Sequence, residues 1–185
     1  MSYGPVIKRR SSAPKSFPIT LEFMKSFLRI ENNQDDELIS NLLSIATDYA
    51  QWYMGISLIK QEWQISYAVN HVLRRKFGLV YGPIIKVESV EAVYRNQSAK
   101  PLSQKNYHVD LVAPYIQFDQ LFNVSRIDIV YKAGYENSDL IPAQIKQGIA
   151  NHVANAYRNR ETETNTYLSG IKSVYAPFCE LKVVL

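Results

Sequence analysis

Apolar positions change their period twice along the chain, and the two changes define its elements. Leu38, Ile39, Leu42, Leu43, Ala46, Tyr49, Ala50 and Tyr53 recur as near-adjacent pairs once per helical turn. Asp35 or Asp36 is placed to cap this helix, and Gly55, which turns left-handed without penalty, ends it. A shorter helix precedes it: Thr20 as N-cap, Glu22 in the first turn, and Leu21, Met24, Phe27 and Leu28 on one face, with the break at Asn32-Asn33. From Leu58 the period becomes two. Ile59, Trp63, Ile65 and Tyr67 alternate with Lys60, Glu62, Gln64 and Ser66, and Val87–Arg95, Tyr107–Val112, Tyr115–Phe118 and Arg126–Lys132 follow as strand candidates between turn residues. Gly134 breaks the last strand. Pro142, at home in a first turn, then opens a helix in which Ile145, Ile149, Val153, Ala156 and Tyr157 share a face.

This order predicts an α+β fold. Two N-terminal helices (20–54) and a C-terminal helix (142–160) form a helical body, and a mostly antiparallel β region (58–132) is inserted between them. Residues 19–178 are expected as one domain. Residues 1–18, with Gly4, Pro5, Pro14, Pro18 and four cations, read as a flexible basic arm. Tyr167–Tyr175 has room for one or two helical turns before Pro177, and 179–185 is a tail ending in the apolar Val183, Val184 and Leu185, a tip suited to a partner.

Charge sharpens the picture. The net +4 is that of the arm, Lys8, Arg9, Arg10 and Lys15, and the remaining cations and acids balance. The body is nevertheless zoned. Thr20–Met54 is acidic through Glu22, Glu31, Asp35, Asp36, Glu37 and Asp48, whereas His71–Lys105 is basic through Arg74, Arg75, Lys76, Lys86, Arg95, Lys100 and Lys105. Opposite patches suit a subunit that repeats head to tail, and they equally suit solvated faces without a partner. The 13 tyrosines allow the same two readings, wet-edged interface or sheet packing.

Catalytic chemistry finds no foothold. His71, His108 and His152 have no second ligand at a metal spacing, no Gly-x-Ser-x-Gly elbow or glycine-rich phosphate loop occurs, and Cys179 stands alone beside Glu180. No catalytic, cofactor or metal residue is therefore assigned, and no cofactor is expected. A lone cysteine fits a reducing compartment, and no apolar run is long enough to span a bilayer.

Several motifs also resemble those of one family. Tyr131-x-Ala133-Gly134-Tyr135, Pro142, Lys146, Ala150 and Tyr157-x-x-Arg160-Glu161, with Pro18–Ile30, Asp35–Ile39, Gln61-Glu-Trp63 and Tyr107–Asp110 ahead of them, resemble the head-tail connector (adaptor) proteins of long-tailed bacteriophages and gene transfer agents. The likeness runs over residues 18–178 in order; Asn70–Tyr81 is more basic than the family pattern and the first 17 residues have no counterpart in it. The resemblance implies a non-enzymatic ring of about a dozen subunits made in the bacterial cytoplasm and built into the particle at the head-tail junction. Its partners would be the portal, a tail-side connector or stopper, and DNA that passes without being read; no membrane is involved. Lys8, Arg9, Arg10, Lys15, Val183, Val184 and Leu185 are then candidates for docking. Arg74, Arg75 and Lys76, and Asp35, Asp36 and Glu37, are candidates for the channel or for subunit contacts. The alternative is a basic nucleic-acid-binding module acting through the arm and the Arg74–Lys76 loop.

Overall fold

The protein is described by a computed structural model over residues 7–12, 14, 16–69, 75–94, 98–121, 123–159 and 165–179. Where the apolar period changes, the chain changes unit. One compact unit combines Lys15–Ile59 with Tyr135–Leu181; the other is built chiefly from Lys60–Gly134. The α+β class follows the predicted order of elements, and the chain groups into these two compact units.

The helical unit contains α1 (Leu21–Leu28), α2 (Asp36–Met54), α3 (Ala143–Arg158) and α4 (Asn165–Tyr175). Thr20 caps α1 through its side-chain oxygen, which accepts from the Phe23 N–H at 3.1 Å. Arg29, at φ 60°, takes the left-handed position that closes α1, three residues before the expected asparagine break. Gly55 closes α2 at φ 74°, its N–H donating to the Gln51 carbonyl at 2.9 Å. Pro142 stands one residue ahead of α3, at the cap position, and its carbonyl accepts from the Ile145 N–H at 3.0 Å.

The stripes of α2 and α3 meet in a core that includes Met24, Ile39, Leu43, Ala50, Ile145, Ile149 and Val153, all without solvent exposure. Tyr175 of α4 is equally buried and lies against Gly148: a Cβ there would stand 2.6 Å from the Tyr175 ring. The glycine is thus what lets α3 and α4 approach. A parallel bridge between Ile59 and Tyr135 joins the chain where it leaves this unit to where it returns.

The β unit has two antiparallel sheets. The larger has the order β1 (Ile7–Ser12), β2 (Gln61–Ala68), β8 (Val124–Ala133), β4 (Ile84–Tyr94) and β5 (Ala99–Pro101); the smaller is β3 (Lys76–Gly78), β7 (Tyr115–Phe118) and β6 (Tyr107–Asp110). Period two does the packing. Ile127, Ile129, Tyr131 and Ala133 of β8, with Ile65 and Tyr67 of β2, turn one face toward Phe77, Ile116 and Phe118 of the smaller sheet. Two tyrosine hydroxyls add polar ties: Tyr67 donates to the Gly78 carbonyl and Tyr131 to the Val80 carbonyl. Each satisfies a hydroxyl whose burial would otherwise cost about 1–3 kcal/mol.

Three strands depart from expectation. Residues 7–12, expected within the flexible arm, pair as β1 with β2, from Ile7 opposite Ser66 to Ser12 opposite Glu62. All six are exposed, so no apolar alternation marks them; the strand is held by its partner's edge. β3 and β5, three residues each, are too short for a period to register.

Candidate assembly surfaces

The acidic trio does not form one free patch. Asp35 occupies the cap position of α2, yet its side chain makes no capping bond and instead accepts from the hydroxyl of Tyr157 on α3. Asp36 pairs with Lys25 of α1 at 2.8 Å, and Lys25 also donates to the Asn33 side-chain oxygen. Glu37 alone of the three is exposed. Two of the three predicted contact residues thus hold α1 and α3 to the start of α2.

The cations divide in the same way. On β1, Lys8 and Arg10 lie opposite Ile65 and Trp63, on the side of the sheet that carries the core, while Arg9 lies on the other face. The Lys8 ammonium stands 5.8 Å from the centroid of Tyr81, whose ring stacks on Trp63 at 4.2 Å. Arg75 is exposed beside β3, and Lys76 sits 3.6 Å over the Tyr115 ring. Lys86 and Lys132 flank Glu88 at 3.0 and 2.6 Å, and with Lys132 foremost they hold the Glu88 carboxyl below the usual carboxylate range. Lys15, Arg74, Val183, Val184 and Leu185 lie outside the described residues.

Apolar exposure is the feature the sequence reading missed. On α2, Ile45 is 60% and Trp52 70% exposed, with Tyr49 between them, its ring tilted against that of Trp52 at a centroid distance of 5.9 Å. In the turn between β6 and β7, Leu111 is 48% and Val112 97% exposed. That turn is shaped from within. The Asp110 carboxylate accepts from the N–H groups of Val112 and Ala113, both at 2.9 Å, and Ala113 foremost they draw its pKa below the usual range. A signal existed for Trp52, which falls opposite the Ile39–Leu43–Ala46–Ala50 stripe; none existed for Val112.

Among the described residues no group of three or more His, Cys, Asp and Glu is arranged to hold a metal, and no helix is long and apolar enough to cross a membrane. His108 is exposed on β6, while His152 is buried with its ring edge-on to Tyr49 at 5.2 Å. Cys179 lies 3.7 Å from the carbonyl oxygens of Tyr53 and Tyr175. His71 lies outside the described residues. What the geometry offers is contact surface: charged strands, an aromatic-lined helix and a stiff hairpin tip.

Comparison with known proteins accords with that. Three solved chains share the fold over 97% of this chain and 98% of theirs. They come from "Neck of empty GTA particle computed with C6 symmetry" (TM-score 0.76, 14% identity), "Virion of native gene transfer agent (GTA) particle" (0.76, 13%) and "Neck of native GTA particle computed with C12 symmetry" (0.75, 14%). A search of curated proteins gave no match. The model of the phage gp6-like head-tail connector proteins matches residues 18–123, more than half of the sequence. The chain belongs to the phage gp6-like head-tail connector family.

Proposed function

We propose that this protein is a structural adaptor subunit that forms a ring at the head-tail junction of a phage or gene-transfer-agent particle. The ring contains about a dozen copies, sits under the portal of a DNA-filled capsid, and joins it to a tail-side connector or stopper. Its work is mechanical: it lengthens the channel, matches portal to tail and lets DNA pass without reading it. The observation that carries this reading is the fold shared end to end with chains of particle necks, one of them computed with C12 symmetry, together with family membership.

Two features favour the ring. The acidic and basic zones fall in different units of the subunit, as a contact between unlike surfaces requires. Large aromatic and aliphatic side chains, Ile45, Trp52, Leu111 and Val112 among them, stand exposed on the subunit. The alternative, a basic nucleic-acid-binding module, is not supported: the described cations are spread over β1, β3, β4, β5, β8 and the helices, and Lys76, Lys86 and Lys132 face groups of their own unit. The test is a particle map at side-chain resolution, with co-purification of the full chain on portal as a biochemical counterpart. A ring of this chain between portal and tail is expected; a monomer that binds DNA in a salt-dependent way and never joins portal would overturn the reading.

A further inference from the structure

We infer that the cleft between the end of α1 and the last turns of α3 binds an acidic peptide segment of another protein, with Arg29 and Arg158 as its carboxylate clamps. The cleft has a volume of about 350 Å³ and lies within the helical unit. On α3, Asn151, Ala154, Asn155 and Arg158 recur at helical spacings of three and four, and so share the face that lines it. Phe27, half-buried against the core, and Arg29 line it from α1. Both arginines are exposed. Among the described residues neither guanidinium has an ion-pair partner, and no acid lines the cleft. Arg29 also stands at φ 60°, where glycine closes a helix without penalty and arginine does not. A strained position held by an arginine points to a use for its side chain.

The lining selects a peptide over a polyanion. Carboxylates match the planar guanidinium fork, which donates two parallel bonds to them. Gln147 donates to Asn151 Oδ1 at 3.1 Å, which leaves the Asn151 amide nitrogen as a further donor. Asn155 spends its nitrogen on the Asn151 carbonyl at 2.8 Å and keeps Oδ1 as an acceptor. A peptide backbone brings an N–H to meet that oxygen, whereas a phosphodiester backbone brings none. Acids outnumber cations in the helical unit, so its wider field disfavours a long nucleic acid while two local cations still hold one or two carboxylates. α1 and α3 both end at the cleft, and two whole positive charges outweigh the partial negative charge of their terminal carbonyls. Phe27 supplies an apolar wall, which suits a segment of the pattern acidic, apolar, acidic.

The inference goes beyond the ring reading, and its test needs no particle. The full chain, isotope-labelled for NMR, is titrated with the capped peptide acetyl-Gly-Glu-Leu-Glu-Gly-amide. The side-chain amide signals of Asn151 and Asn155 and the Nε signals of Arg29 and Arg158 should shift. The same peptide with Gln in place of Glu, and a single-stranded dodecanucleotide, should each bind about tenfold or more weakly. Arg29→Gly should raise Kd about fivefold or more while the subunit melts at or above the parent's temperature, because the change removes the side chain and relieves the backbone. Arg158→Lys should bind between the parent and Arg158→Ala, since it keeps the charge and loses the fork. No shift at these residues with the glutamyl peptide, equal shifts with the oligonucleotide, or unaltered binding by Arg29→Gly would each overturn the inference and leave the ring standing.

Discussion

The hydroxyl of Tyr157, at the end of α3, donates to Oδ2 of Asp35, the residue that opens α2, across 122 positions of sequence. An acid placed to cap its own helix instead fixes the ends of two helices to each other. Tyr157→Phe removes the donor and keeps the ring. For a half-exposed pair the expected cost is about 1 kcal/mol, or a fall of about 2–4 °C in melting temperature for a chain of this size. Thermal unfolding followed by circular dichroism checks it. An unchanged midpoint would mean that water replaces the bond at no cost.

Gly148 sits in the interior of α3, where alanine ordinarily gains about 0.5–1 kcal/mol. Here the added methyl would meet the Tyr175 ring at 2.6 Å, and that ring has no solvent to move into. Overpacking costs about 1–3 kcal/mol, so the clash outweighs propensity. Gly148→Ala should lower the denaturation midpoint, with Gly148→Ser lower still. A stabilised alanine variant would show that α4 moves away freely.

Burial lowers the pKa of His152 below its usual 6.5, so the folded chain keeps the ring neutral where the unfolded chain takes up a proton. Stability is therefore full above about pH 6.5 and declines as the pH falls below it, levelling once the folded-state pKa is passed. Urea midpoints measured between pH 7.5 and 5 should fall for the parent and fall less for His152→Leu. Parallel curves for the two proteins would assign the acid sensitivity to other groups.

Removal of residues 1–12 should leave a folded protein that associates. β1 is exposed throughout, so its loss removes ladder hydrogen bonds and little apolar burial, at about 0.5–1.5 kcal/mol net per bond lost. It also uncovers the edge of β2, which carries Trp63, Ile65 and Tyr67. An uncovered edge of that composition is a template for further pairing. Light scattering on mild heating should rise earlier for the truncated chain; equal curves would mean that β1 is not what protects that edge.

The helices were legible because their apolar pattern repeats over several turns and their punctuation is local: Thr20 and Gly55 act where they stand. β1 was illegible for the opposite reason. Ile-Lys-Arg-Arg-Ser-Ser has no alternation, and only the partner strand some 50 positions later gives it form. The acidic trio shows the same limit in a site. Adjacent acids look like one patch, yet Tyr157 and Lys25, remote in sequence, claim two of them.

The insertion of the β unit between α2 and α3 has a consequence for synthesis. The inner faces of α1 and α2, with Met24, Ile39 and Leu43, find their cover only when α3 exists. Roughly 75 residues separate the two halves of that unit, so a ribosome working at about 5–20 residues per second leaves those faces open for roughly 4–15 s. The β strands between Lys60 and Gly134 emerge in that interval and have within themselves most of the partners they need. The last-made helices then close the unit that was begun first, so a chain that stops short of Ile145 releases an uncovered apolar face.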